Sequence, residues 1–299
     1  MTDRTIVAVD NGTAGDAALE WAIGRAHWVK DPVLLVHVVE QTTLVPGKTL
    51  GPDRFERART LLGTAAGRVR EAVHGVDVRT KVLTGDVVPA LIALTGPDAL
   101  LVVGETTRGS VHAAVGWSAG VRVATHAAGP VAVIPIDVRE QRRGIVVGVD
   151  DTDECLDVAE IAAAEALATG QALHVVHAWM APNIWLDTAP LDEEFVAFLA
   201  EPHQQLLDDV VGVLRGRHPS LDVTGHAVHG TPAHCILGAD PLPALVVVGT
   251  RARSMFRRLF LGSVSRDLLL NLDVPAIIVP TAMATPRRAS ASEERTAVS

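Results

Sequence analysis

Residues 145–150 read IVVGVD, and residues 6–10, near the start of the chain, read IVAVD. Three more apolar segments of the first half recur in the same order in the second half: VLLVHVVE (33–40) as ALHVVHAW (172–179), ALLVVG (99–104) as ALVVVG (244–249), and GPVAVIP (129–135) as VPAIIVP (274–280). The spacing agrees as well, because 27 residues separate both Asp10 from His37 and Asp150 from His177. Four ordered matches with equal spacing indicate an internal duplication and not one large sheet.

Each half alternates two kinds of segment. Short runs rich in Val, Ile and Leu are separated by amphipathic stretches, such as 15–29 and 155–169, with apolar residues every three or four positions as one helix face requires. Gly170 is placed to end the second of these helices. Strands that alternate with helices predict an α/β fold, in which a parallel sheet is covered on both faces. We count five strands per half, the last beginning at Val131 and at Ala276.

The chain is predicted to contain two domains and a tail. Its 299 residues suit two domains of roughly 150 residues each. The duplication places these domains at 1–136 and 144–281, joined by a charged stretch. Residues 282–299 are small and polar, so we expect them to be disordered. The segment 182–203 connects the second strand of the second half to the next helix, where a lid, an interface or a plain surface loop would each be reasonable.

The composition narrows the class of function. The formal net charge of −9 argues against binding nucleic acid through bulk electrostatics. No apolar run approaches the roughly 20 residues that span a bilayer, so we expect no membrane partner. The start, MTDRTIVAVD, carries charges where a signal peptide needs an apolar stretch. The two cysteines, Cys155 and Cys235, do not make a disulfide framework, and reduced thiols in a cytoplasmic protein suit them better.

The strand ends predict where a ligand would bind. In doubly wound sheets, ligands lie beyond the carboxyl ends of the strands, where the strand order reverses. Asp10 and Asp150 end the first strands of their halves, and Gly104 and Gly249 end the fourth strands. If the first and fourth strands are neighbours, these residues face one crevice. Each aspartate then either accepts hydrogen bonds from ribose hydroxyls or caps the following helix, and the two roles are compatible.

The segment after the fourth strand of the second half favours phosphate binding. Gly262, Ser263, Val264 and Ser265 precede a predicted helix, and hydroxyls and backbone N–H groups at a helix N-terminus attract anions. No lysine follows residue 81, so phosphate charge would be met by arginines, by backbone N–H groups or by a metal. The arginines in this window are Arg251, Arg253, Arg257, Arg258 and Arg266. A basic surface loop followed by a Ser-capped helix is the alternative.

The corresponding segment of the first half is a weaker candidate. It has one residue fewer between its glycines, Gly104 and Gly116, and Trp117 stands where the second half has Ser263. Glu105 adds a negative charge near any phosphate, so this half is expected to hold a nucleotide poorly or not at all. Neither half contains a G-x-x-x-x-G-K-[ST] loop or a G-x-G-x-x-G turn, which argues against P-loop NTPases and dinucleotide-dependent dehydrogenases.

These motifs resemble those of the universal stress protein family in its tandem form, with two domains per chain, over nearly everything but the tail. Family members that bind ATP carry the pattern G-x₂-G-x₉-G-[S/T] after the fourth strand. The second half matches it at Gly249, Gly262 and Ser263, and has Ala252 where the second glycine is expected. The resemblance implies two doubly wound, five-stranded parallel sheets of order 3-2-1-4-5, a fold like that of the adenine nucleotide alpha hydrolases.

The resemblance also implies a set of binding residues in each domain. Those of the second domain, taken with the nearby Arg251, are Gly148, Val149, Asp150, Ala178, Val248, Gly249, Arg251, Ala252, Gly262, Ser263, Val264 and Ser265. A possible first-domain site comprises Asp10, Val38, Gly104, Gly116 and Ser118. Neither set is assigned a catalytic residue or a structural metal. Family domains often pair through their fifth strands, which here predicts either pairing within the chain or a homodimer.

The sequence therefore predicts a stress-response regulator that binds ATP mainly in its C-terminal domain. Hydrolysis would be slow at most, because no dedicated general base or lysine is evident for rapid phosphoryl transfer. Mg²⁺ could accompany the phosphates with help from Asp150 and Asp151. The alternative is a nucleotide-independent interaction module that uses sheet edges and the 182–203 segment. His37 and His177 are interpreted as structural residues whose rings bond to the backbone.

Overall fold

The computed structural model of the chain describes residues 3–40, 52–105, 118–137, 142–152, 154–180, 193–250 and 262–280. Helices and strands alternate through both halves. The elements of the first half are β1 (Arg4–Ala8), α1 (Thr13–Ala26), β2 (Val33–Val39), α2 (Pro52–Ala72), β3 (Val78–Thr84), α3 (Val87–Ile92), β4 (Ala99–Glu105), α4 (Ala119–His126) and β5 (Val131–Pro135). Those of the second half are β6 (Ile145–Gly148), α5 (Cys155–Thr169), β7 (Leu173–Trp179), α6 (Glu193–Arg217), β8 (Val223–His229), α7 (Pro232–Leu237), β9 (Leu245–Thr250), α8 (Ser263–Leu270) and β10 (Ala276–Pro280).

These strands form one continuous sheet, in the order β3-β2-β1-β4-β5-β10-β9-β6-β7-β8. Neighbouring strands are parallel within each half, and each half has the expected order 3-2-1-4-5. The halves meet at β5 and β10, which pair antiparallel, with Ala276 opposite Val133 and Ile278 opposite Val131. The fifth strands therefore pair within the chain, which is one of the two arrangements that the sequence left open.

Helices cover both faces of this sheet. We call the side covered by α1, α2, α5 and α6 face A, and the side covered by α3, α4, α7 and α8 face B. Parallel strands that are buried on both faces read as nearly continuous Val, Ile and Leu runs, and β5 and β10 are buried at every position. The helical residues at the centre of each core are Leu19, Leu62, Ala162 and Leu207 on face A, and Leu91, Val123, Ile236 and Leu268 on face B.

The ends of several elements agree with the sequence prediction. Helix α5 covers the whole predicted stretch, and Gly170 ends it with a left-handed φ of 64°. The last strands begin at Val131 and Ala276. Helix α1 ends three residues before its amphipathic stretch does, because the chain turns towards β2, which starts at Val33. None of the helices in the described ranges combines the length and the apolar character that crossing a membrane requires.

A buried ion pair joins the two halves on face A. The guanidinium of Arg25, in the last turn of α1, donates to the carboxylate of Glu165 on α5, from Nε to Oε2 at 2.9 Å and from Nη2 to Oε1 at 2.5 Å. The two side chains are 6% and 9% exposed. Glu165 lies 140 residues after Arg25, the same interval that relates Asp150 to Asp10. Equivalent positions of the duplicated domains thus carry opposite charges, so each domain complements the other and not a second copy of itself.

Candidate functional site

The candidate site of the second domain lies at the carboxyl edge of β6 and β9, which are parallel neighbours. The strand order reverses here, because β7 lies on one side of β6 while β9 and β10 lie on the other. Gly148 ends β6, Asp150 follows two residues later, and Gly249 lies next to the end of β9. These three predicted residues therefore share the sheet edge where doubly wound folds bind ligands.

Asp150 is held by the turn that follows β6. Its Oδ1 accepts hydrogen bonds from the Thr152 backbone N–H at 3.0 Å and from the Thr152 hydroxyl at 2.5 Å. Asp10 is held in the same way in the first half, where its Oδ1 accepts from the N–H groups of Gly12 at 2.7 Å and Gly15 at 3.1 Å. The helix-start role that the sequence left open is present in the first half, because Gly15 lies in the first turn of α1. In the second half, Thr152 lies before α5, whose N-cap residue is Glu154, so these bonds of Asp150 hold the turn and not the helix. In both halves they fix the carboxylate at the sheet edge.

An apolar wall lines face B beside Asp150. Val248 belongs to the core of this face and is 3% exposed, and Ala178 packs against that core. A Cβ at Gly148 would lie 2.6 Å from Cδ1 of Ile236 on α7. A side chain at this position would displace the tip of Ile236, so the packing of α7 favours glycine here.

Val149 contributes differently from its neighbours. Side chains alternate along a strand, and that of Val149 belongs to the core on face A. Its backbone N–H donates to the Val176 carbonyl at 3.0 Å, and its carbonyl lies 3.0 Å from Nδ1 of His177. Val149 can thus border a ligand only through backbone atoms that are already hydrogen-bonded.

The first turn of α8 faces the same edge. Gly262 is its N-cap residue, Ser263 is exposed, and Val264 packs against the core of face B. Ser265 is 1% exposed, and its hydroxyl donates to the Gly249 carbonyl at 2.8 Å. This bond ties α8 to the end of β9, which gives the Ser265 hydroxyl a structural role and leaves the N–H groups of the first turn at the sheet edge, where a helix binds anions.

The predicted site residues of the first domain are closely packed against neighbouring elements. Val38 packs against the core of face B. A Cβ at Gly104 would lie 1.9 Å from the carbonyl oxygen of Ala14, so α1 contacts the end of β4 backbone to backbone. Counted back from the fifth strands, Ser118 and Ser263 are equivalent, since each lies 13 residues before the first strand residue. This count sets Ser118 opposite Ser263, whereas the alignment through Gly116, which lies outside the described residues, sets Trp117 there.

Glu105 fills the helix start of the first domain. Its side chain is 4% exposed and accepts a hydrogen bond from the hydroxyl of Ser118, which is the N-cap residue of α4. The Ser118 oxygen in turn accepts from the Val121 backbone N–H at 3.2 Å. The sequence shows only that a negative charge follows Gly104. The contact of this carboxylate with Ser118 is known from the structure.

Several predicted residues lie outside the described ranges. They include the first-domain Gly116 and the second-domain Arg251 and Ala252, together with Trp117 and three further arginines of the window, Arg253, Arg257 and Arg258. Residues 182–192 of the 182–203 segment and the whole 282–299 tail also lie outside them, while residues 193–203 belong to α6. Asp150, the strand-end residues and the first turn of α8 thus make up the part of the second-domain site whose geometry is known.

The strand-end histidines are structural, as predicted. Nδ1 of His37 lies 2.7 Å from the Val9 carbonyl, and Nδ1 of His177 occupies the same position relative to Val149. His177 also contacts His203 on α6, with Nε2 to Nδ1 at 3.0 Å, and the His203 ring stacks on Trp179. Burial lowers the pKa of His203, and the neighbouring His177 adds to that effect. This cluster attaches α6 to face A, on the side of the sheet away from the apolar wall.

Comparisons with known proteins agree with this fold. A family model described as the universal stress protein family matches residues 1–135 and again residues 141–280. A universal stress protein of Mycobacterium tuberculosis is 30% identical over 309 aligned residues, covering 94% of this chain and 96% of its own. One from Mycolicibacterium smegmatis is 26% identical, covering 92% and 96%. A crystal structure of a universal stress protein from Archaeoglobus fulgidus superposes with a TM-score of 0.71 at 18% identity, covering 94% of this chain and 99% of that one. The chain belongs to the universal stress protein family, with one copy of the family domain in each half.

Proposed function

We propose that this protein is a stress-response regulator that binds an adenine nucleotide, ATP in the first instance, mainly in its C-terminal domain. The observation that carries the proposal is the bond between the Ser265 hydroxyl and the Gly249 carbonyl. It holds the start of α8 against the end of β9, at the edge where Asp150 follows β6. An anion-binding helix start and a carboxylate suited to ribose hydroxyls then border one crevice.

The remaining parts of the crevice suit the rest of such a ligand. Ala178 and Val248 offer an apolar surface on face B to a purine base. Gly262, Ser263 and Val264 supply backbone N–H groups for the phosphates, with Arg251 close by in the sequence. The domain boundaries 1–136 and 144–281 and a cytoplasmic location belong to the same proposal.

Hydrolysis of the bound nucleotide is expected to be slow at most. Rapid phosphoryl transfer needs a positioned base and cations around the transferred group, and no lysine follows residue 81. His177, at the end of β7, is engaged by the Val149 carbonyl and by His203. Mg²⁺ would be held chiefly by the phosphate oxygens, with Asp150 and Asp151 as the carboxylates at that edge.

A thermal shift experiment tests this proposal. Saturating ATP with Mg²⁺ is expected to raise the melting temperature, since a ligand at 100 times its Kd stabilises the native state by about 2.7 kcal/mol. Gly262→Val and Ser263→Ala should each reduce the shift, because they alter the helix start that binds phosphate. Trp117→Ala, in the corresponding segment of the first domain, is the matched control and should leave most of it. An unchanged shift in both second-domain variants would refute the assignment.

The alternative, a nucleotide-independent interaction module, is favoured by two exposed apolar side chains. Met180 and Phe198, 63% and 67% exposed, lie on either side of the segment 181–192. The fifth strands are used within the chain, so a homodimer would need another surface, such as the outer strands β3 and β8. Identifying the small molecules that copurify with the protein separates the alternatives, because only the first predicts a bound adenine nucleotide.

A further inference from the structure

The two helix starts can be compared position by position. Gly120 and Ser265 each lie 11 residues before the first residue of the fifth strand, as Ser118 and Ser263 each lie 13 before it. At the strand ends, Glu105 follows Gly104 as Thr250 follows Gly249. The duplicated domains therefore differ at two facing positions, with Glu105 and Gly120 in the first and Thr250 and Ser265 in the second.

These two differences depend on each other. A Cβ at Gly120 would lie 3.0 Å from Oε2 of Glu105 and 3.6 Å from the Gly104 carbonyl oxygen. In the second domain, Ser265 fills the equivalent space and bonds to the equivalent carbonyl. Glycine at position 120 thus leaves the room that the Glu105 carboxylate takes.

The Glu105 carboxylate lies at the start of α4. Glu105 is buried beside the N-terminus of α4, where it accepts the hydroxyl hydrogen bond of the N-cap residue Ser118. A helix N-terminus stabilises negative charge through its N–H groups and its dipole. In the second domain, the same position carries Thr250, which has no charge.

We propose that Glu105 is a built-in substitute for phosphate that keeps the first-domain site closed to nucleotides. The proposal rests on the proposed function for the contrast between the domains, but the occupied helix start can be tested without a nucleotide. A phosphate group at the start of α4 would compete with the Glu105 carboxylate for the Ser118 hydroxyl, and their like charges would repel each other. The chain would then bind one nucleotide, although it has two family domains.

Phosphate rescue is the first test. Glu105→Thr, which introduces the residue of the second domain, should melt below the wild type in phosphate-free buffer, and millimolar inorganic phosphate should recover the loss. The reference for each protein is potassium chloride at equal ionic strength. Relative to it, phosphate should raise the melting temperature of the wild type less than that of Glu105→Thr. Glu105→Gln keeps the side-chain volume without the charge, so it should melt lower and show no recovery. If phosphate raises the melting temperature of wild type and Glu105→Thr equally, the proposal is overturned.

Transplanting the carboxylate is the second test. The variant T250E places the carboxylate of the first domain after Gly249, and T250Q, which has a similar volume without the charge, is the matched control. Both variants keep Ser265 and its bond to the Gly249 carbonyl. We expect the Kd for ATP to be about tenfold or more higher for T250E than for T250Q, which corresponds to the loss of one charge-assisted hydrogen bond. An equal Kd for the two variants would contradict the proposal. If the wild type binds no ATP at all, the proposed function fails instead, and the phosphate rescue still judges the role of Glu105.

Discussion

Replacing Arg25 by methionine is expected to destabilise the folded chain by about 3–5 kcal/mol, the usual effect of removing one partner of a buried ion pair. Methionine fills similar space but leaves the Glu165 carboxylate, 9% exposed, without its guanidinium. Arg25 also donates to the Thr5 hydroxyl at 2.9 Å, so a second buried contact is lost. Equilibrium urea unfolding, followed by circular dichroism, measures the difference.

The double variant R25M/E165M is the control for this prediction. Two well-packed apolar side chains replace a buried ion pair at little net change in stability, so the double variant should recover the part of the loss that comes from Glu165. Asp31, whose carboxylate lies 3.6 Å from the Arg25 guanidinium, still loses its partner in both variants. A single variant R25M that unfolds at the same urea concentration as the wild type would show that the pair does not hold the two halves together.

Gly104→Ala is expected to destabilise the first domain by about 3 kcal/mol or more, at the upper end of the range for overpacking. The added Cβ would lie 1.9 Å from the carbonyl oxygen and 2.3 Å from the carbonyl carbon of Ala14. Both atoms belong to the backbone of α1, so the clash is relieved only if the helix moves away from β4.

Gly24→Ala is the matched control for Gly104→Ala, because Gly24 lies in α1, the helix that Gly104 contacts. Apart from the chain neighbours and the backbone of α1 itself, no atom lies within 4 Å of a Cβ built at Gly24, so alanine should stabilise the helix by about 0.5–1 kcal/mol. Thermal unfolding of the two variants beside the wild type checks both signs. Equal melting temperatures for wild type and Gly104→Ala would mean that α1 is not seated on β4 as described.

The fold could be predicted because the duplication makes the sequence redundant. Two sets of strands with matching spacing located the strand starts at Val131 and Ala276, and Gly170 located a helix end. From the sequence, the fifth strands could pair either within the chain or between two chains. The backbone groups at the edge of a strand can bond equally well to a strand of the same chain or of another chain. The Arg25–Glu165 pair became recognisable only after the two domains were docked.

The site could be predicted to the level of its elements but not of its side chains. The motif brought Asp150, Gly249 and Gly262 to one sheet edge, because strand order dictates that edge. It could not show that the Val149 side chain lies in the core of face A, or that the Ser265 hydroxyl donates to the Gly249 carbonyl. Both depend on how the helices pack against the sheet. Glu105 was visible as a charge, but its bond to Ser118 depends on the start of α4.

Photoaffinity labelling with 8-azido-ATP, followed by peptide mapping, is the most direct test of where this protein holds a nucleotide. We expect one label per chain, on peptides from residues 142–280, that unlabelled ATP prevents. Labelling confined to peptides of the first domain, or labelling that unlabelled ATP does not reduce, would contradict the account.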